Sequence, residues 1–265
     1  MSDRMRTTVL ATLTVAIAWA GTATAQGLYW ETTTTGVGTQ PRTAQIFAVP
    51  KMMKIVQSDG RTVIVRADED KLITIDPARQ TYHEVGIAQL EGATHNAEGQ
   101  ADARRAQMEQ RMKDLPPEQR AMIEKMLPSG AGAPGAKPAP APVTVKNTGE
   151  TKTINGYACT KYVATQGDKT VLVAWATKDV KGFEGLRDDW LKFQKRVLAL
   201  HRMGGSAAVG VAEAYEQIEG FPMATEIGPV KTEVTKVEAR TIPASDFQAP
   251  AGYKQEPLAI PDVKK

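Results

Sequence analysis

The stretch VTVKNTGETKTINGYACTKYVATQGDKTVLVAWAT, residues 143–177, decides the fold. Val143–Glu150 is an extended run. Thr151–Ile154 and Tyr157–Thr165 then flank Asn155-Gly156, and Lys169–Thr177 follows. Asn-Gly between two extended runs is the strongest short hairpin signal, because both residues tolerate positive φ. The segment therefore predicts consecutive antiparallel strands.

The same pattern fills residues 28–85. Leu28–Thr35, Thr43–Val49, Lys51–Gln57, Arg61–Arg66, Lys71–Asp76 and Gln80–Val85 are rich in Val, Ile, Thr and Tyr. Such runs, bounded by turn residues, read as strands. Ser58-Asp59-Gly60 offers a turn with a glycine free to take positive φ. Asp68-Glu69-Asp70 and Asp76-Pro77 mark the next two turns. Strands spaced by roughly 8–12 residues predict a meander. Phe221–Ile227 and Val230–Thr241 close the chain, turned at Gly228-Pro229.

Two helical insertions interrupt the strands. In 182–203, Phe183, Leu186, Trp190, Phe193, Val197 and Leu200 form one apolar stripe, with Arg187, Asp188, Lys192 and Arg196 on the other side. Gly204-Gly205 ends that helix, and a shorter one is expected at about 207–217. Residues 98–127 are rich in good helix formers. Met108, Met112 and Leu115 share one face. Pro116-Pro117 breaks the helix, and Met122, Ile123, Met126 and Leu127 form the face of the next. Residues 128–142 are a Gly/Ala/Pro linker that cannot offset its ordering entropy. The fold class is mainly β (α+β): a curved antiparallel sheet of about eleven strands, with helical insertions covering one face.

The N-terminus has the layout of an export signal. Arg4 and Arg6 precede the apolar stretch Val9–Ala20, and Ala23-Thr24-Ala25 is an A-x-A site. Cleavage is expected before Gln26. The apolar run is about 12 residues, where a membrane span needs roughly 20. The rest reads as a single domain over 26–250 with a tail at 251–265. The expected location is the periplasm, and no later segment reaches spanning length.

The 265-residue chain carries a net charge of +3, with both signs interspersed. A nucleic-acid binder would need a basic stripe or patch. Cys159 is the one cysteine, so no internal disulfide forms. It lies mid-strand and reads as a small buried hydrophobe.

No catalytic or cofactor motif is present. Gly204-Gly205-Ser206-Ala207-Ala208 lacks the second glycine of a nucleophile elbow. Gly130 and Gly135 have P-loop spacing, but Ala136 stands where lysine is required. Gly36 and Gly38 do not extend into a dinucleotide fingerprint. His83, His95 and His201 show no paired ligand spacing for zinc, and Asp68-Glu69-Asp70 has no EF-hand continuation. Neither a metal nor a cofactor is expected, nor is enzymatic activity.

Several segments resemble an exported bacterial family, domain of unknown function 4412. They are Pro50-Lys51-Met52-Met53-Lys54, the Asp76/Tyr82 turn region, Pro116–Met122 and TKTINGYACTKY at 151–162. Gly220-Phe221-Pro222 and FQAPAGY at 247–253 complete the set. That family is similar to the periplasmic lipoprotein carriers and receptors of the LolA/LolB type. The resemblance implies an incomplete antiparallel barrel with a helical lid over an apolar cavity, and it brings no catalytic residues.

The expected function is therefore binding or carriage of an apolar ligand: an acyl chain, a lipid or a lipidated protein. Methionine suits surfaces that repack around varied apolar groups. The candidate ligand-facing residues are Met108, Met112, Leu115, Met122, Ile123 and Met126, with Trp30 and Trp190 as further candidates. Each is equally readable as core. The alternative is a structural or protein-interaction module of the envelope with a filled core. A pocket of at least ~300 Å³ lined by those methionines would favour carriage. A hydrolase would need a convergent polar cluster in a cleft.

Overall fold

The computed structural model describes residues 24–38, 40–113, 141–201 and 208–257. Its strands are β1 Thr24–Thr35, β2 Arg42–Val49, β3 Met52–Gln57, β4 Thr62–Arg66, β5 Lys71–Asp76 and β6 Thr81–Gly86. After the first insertion come β7 Val143–Ile154, β8 Tyr157–Gln166, β9 Lys169–Thr177, β10 Phe221–Ile227, β11 Val230–Pro243 and β12 Lys254–Gln255. The helices are α1 Ile87–Lys113, α2 Arg187–His201 and α3 Ala208–Gln217.

Among the described residues, one open sheet of 12 strands runs β12-β6-β5-β4-β3-β2-β1-β11-β10-β9-β8-β7. Two meanders, β1–β6 and β7–β11, are joined where β1 pairs antiparallel with β11 from Thr24↔Pro243 to Thr35↔Lys231. The Asn155-Gly156 hairpin forms as its chemistry dictates, with φ of 50° and 83°. The runs Val143–Glu150 and Thr151–Ile154 are one strand, β7, whose register shifts between Asn147 and Thr151. The tail expected from residue 251 contributes β12, which pairs parallel to β6 at Lys254↔Thr81.

The sheet curls. β10 pairs with β11 only over Ala224–Ile227. Pro222, with no N–H to donate, sits at a register shift against β9. The Asn155 amide Nδ2 donates to the Thr235 carbonyl of β11 at 2.7 Å. In a flat sheet β8 and β11 would lie ~14 Å apart, at about 4.8 Å per strand. Only a sheet folded toward itself lets the hairpin tip reach β11.

Alternation along the strands buries both faces of the central sheet. On the inner face, Leu28 and Trp30 of β1, Ile46 and Ala48 of β2 and Met53 of β3 join Leu172, Ala174, Phe221 and Val234 in one core. On the outer face, Val49, Ile64, Ile73, Ile75 and Ile242 pack under Phe247 of the closing segment. Cys159 is fully buried, and burial pushes its thiol pKa up.

The second insertion covers the inner face. Phe183, Leu186, Trp190 and Phe193 of the predicted stripe are buried, the Val197 and Leu200 side chains lie outside the described residues, and Val211, Ala214 and Tyr215 of α3 and Ile218 just beyond it are buried beside them. The first insertion behaves differently. Its helix begins at Ile87, well ahead of residue 98, because Asp70 caps it: the Asp70 carbonyl accepts the Ile87 N–H at 2.9 Å and its carboxylate the Ala88 N–H at 3.2 Å. Beyond Ala93 every side chain of α1 that is described is exposed. α1 thus leaves the sheet after its first turns.

Candidate functional site

A cavity of about 150 Å³ opens between α2, α3 and the inner face of the sheet. Strands from both meanders build it. β1 contributes Trp30 and Thr32, β2 Ile46, and β3 Met53 and Ile55. β10 and β11 contribute Phe221, Thr225, Thr232 and Val234, and the helices Trp190, Phe193, Gln194 and Tyr215.

Four of its lining residues, Trp30, Phe221, Trp190 and Tyr215, belong to an aromatic chain that passes through Phe183 behind the lining. Trp30 meets Phe221 edge-on at 5.6 Å, and Phe221 meets Phe183 at 4.9 Å. Phe183 then meets Trp190 at 5.7 Å, and Trp190 meets Tyr215 at 5.1 Å. All four pairs are T-shaped, the arrangement that sets the positive ring edge against the negative face.

A band of hydroxyls borders the rings. The Thr34 and Thr232 hydroxyls are 3.0 Å apart, and Thr232 stands directly opposite Thr225 in the β10–β11 ladder. Thr225 is hydrogen-bonded to the Tyr215 hydroxyl. Burial pushes the Tyr215 pKa up to about 12, against the lowering effect of that bond. The phenol is therefore neutral at physiological pH. Among the described residues no Asp, Glu, Lys, Arg or His lines the cavity. The arrangement can desolvate an apolar group and offer it neutral hydrogen-bonding partners.

Polar ties hold the helices over the cavity. The Lys51 backbone N–H donates to the Asp189 carboxylate at 2.8 Å, fixing the first turn of α2 to the β2–β3 turn. The Arg187 guanidinium donates to the Glu216 and Ile218 carbonyls at 3.0 and 3.1 Å, joining α2 to the end of α3. Gln217 Nε2 donates to the Val143 carbonyl at 3.3 Å, anchoring α3 to β7. Beside the cavity, a narrow cleft of about 30 Å³ shares Met53 and Phe193 and reaches Lys51, Asp189 and Lys192.

Of the residues proposed from sequence, Trp30 and Trp190 come together on this cavity. Met108 does not: it is 53% exposed on α1, which has left the sheet. The Met112 side chain and residues Leu115, Met122, Ile123 and Met126 lie outside the described residues. Sequence reasoning missed Tyr215, Phe221 and the threonines. Thr32 continues the inward alternation of Leu28 and Trp30, so a polar residue on a buried face was the available signal. Among the described residues no three His, Cys, Asp or Glu side chains cluster as a metal site would require.

No described helix is long and apolar enough to cross a membrane. No curated protein matches the chain. Among solved structures it is similar to an uncharacterized conserved protein from Thermus thermophilus, at 5% identity and TM-score 0.45, covering 88% of this chain and 91% of that one. It is also similar to the MucA/MucB complex of Pseudomonas aeruginosa, at 11% identity and TM-score 0.36, covering 85% of this chain and 56% of that one. A LolA superfamily protein from Nitrosomonas europaea matches at 6% identity and TM-score 0.27, covering 86% of this chain and 91% of that one. The family model for a domain of unknown function, DUF4412, matches residues 104–253, more than half of the sequence. The chain belongs to the DUF4412 family.

Proposed function

We propose that this protein is a non-enzymatic binding module of the bacterial periplasm, which receives the apolar part of a ligand in the cavity beneath α2 and α3. The observation that carries the reading is the cavity itself: open, walled by aromatic rings and free of ionised side chains among the described residues. Sites for small molecules are mostly apolar with a few placed polar groups, and this lining has that composition. The acyl chain of a lipid or of a lipidated protein is the ligand class suggested by the sequence. An export signal at 1–25 would deliver the protein to the compartment where such partners occur.

A second reading, an envelope interaction module without a small ligand, is favoured by one observation. The cavity of about 150 Å³ is smaller than the ~300 Å³ at which ligand pockets begin. A whole lipid does not fit; the end of one chain does.

Native mass spectrometry of the protein purified gently from a bacterial envelope, with organic extraction, tests the first reading. A bound apolar molecule that disappears in Ile55→Trp, with the fold intact, supports it. A clean unliganded mass with no uptake of added lipid overturns it and leaves the interaction module.

A further inference from the structure

The cavity is short, aromatic and asymmetric, and those three properties narrow its ligand. A cavity of this size has room for one benzene-sized ring. Five aromatic side chains of the lining, Trp30, Trp190, Phe193, Tyr215 and Phe221, supply ring edges and faces, and these favour another ring in offset or edge-on contact. The hydroxyls of Thr225, Thr232 and Tyr215 are all neutral and can donate or accept. An extended acyl chain would use none of them, and a buried carboxylate would find no cation among the described lining residues.

We propose that the cavity is a subsite for a single ring bearing one neutral hydrogen-bonding group, of the phenol class, inserted with its polar atom toward Thr225 and Tyr215 and its ring between Trp30, Trp190 and Phe221. The inference rests on the reading of this cavity as a binding site and names the chemistry of that site. The ring belongs either to a free small molecule or to the end of a larger ligand, and the chemistry recognised is the same. The Tyr215 phenol stays protonated throughout the physiological range, so the subsite does not change charge there.

The test is calorimetric titration of the protein with phenol, toluene and octanoate. Phenol is expected to bind saturably, and toluene several-fold more weakly, because it makes no hydrogen bond to the hydroxyl band. Octanoate is expected not to saturate. Tyr215→Phe and Thr225→Val are each expected to weaken phenol up to about tenfold while leaving toluene unchanged, a readout that a merely structural role would not produce. Ile55→Phe, which fills the cavity from β3, should abolish phenol binding with the thermal transition intact. Saturable octanoate binding without phenol binding would overturn the ring subsite and leave the binding-module reading standing. Binding of neither ligand would overturn both. Equal loss of phenol and toluene in Tyr215→Phe would overturn the assigned orientation.

Discussion

The Lys51 amide donates to the Asp189 carboxylate at 2.8 Å, linking the β2–β3 turn to the first turn of α2. Lys51 takes φ of 65° there, a conformation that costs a non-glycine residue roughly 1–2 kcal/mol. The tie also places a carboxylate at a helix N-terminus, where the macrodipole favours it. The Asp189 side chain is therefore one of the ties that hold α2 over the cavity.

Asp189→Ala should lower stability by about 1 kcal/mol, the usual net worth of one partly exposed hydrogen bond. Lys51→Gly keeps the donor and relieves the backbone, so it should be neutral or stabilising. Urea denaturation of both variants checks the pair. Equal destabilisation by both would show that the bond is not what holds α2.

Phe221 is 1% exposed and touches both Trp30 and Phe183. Phe221→Ala should cost about 3–5 kcal/mol, since the cavity already beside it prevents collapse around the gap. Denaturant titration measures this. A loss below about 1 kcal/mol would mean that the aromatic chain is not packed as described.

Asn155→Gly retains the positive φ of the turn but removes the donor to Thr235. The expected loss is about 1 kcal/mol, with faster hydrogen exchange at the β7–β8 tip. Unchanged exchange would contradict the curl of the sheet.

Two of the six tyrosines, Tyr29 and Tyr215, have their pKa pushed up to about 12 from 10.0. Burial is the first cause for both, joined at Tyr29 by its hydrogen bond to Glu31. The folded chain holds these protons more tightly than the unfolded one. The corresponding stability is complete below pH 10 and is lost as pH rises toward 12. For Tyr215 it amounts to something on the order of 2 kcal/mol. Ultraviolet titration of tyrosinate should show two late-ionising rings, and Tyr215→Phe should remove one.

Much of the strand order was legible because it is local. Asn155-Gly156 and Ser58-Asp59-Gly60 encode their hairpins within a few residues, and the Phe183–Phe193 stripe encodes the buried face of α2. The β1–β11 pairing was not legible, since it joins residues some two hundred positions apart through backbone bonds that any side chain permits. β12 is too short to show periodicity. The start of α1 depends on a cap from Asp70, distant in sequence, which no local pattern records. For the methionine stripe, helical periodicity identifies an apolar face but not what it faces, and of its side chains only that of Met108 is among the described residues. Met108 faces solvent. The cavity takes its lining from five strands and two helices, so no single segment could announce it.

The most direct test uses the indole N–H signals of the protein in ¹⁵N-correlated NMR. Trp30 and Trp190 line the cavity, whereas Trp175 lies under Lys152, with the ammonium 4.3 Å from its ring centroid, and does not. On titration with phenol, saturable shifts of Trp30 and Trp190 are expected with Trp175 unmoved, whereas octanoate should give no saturable shift of any of the three. No shift with either ligand, or equal drift of all three, would contradict the claim that this cavity binds an apolar group.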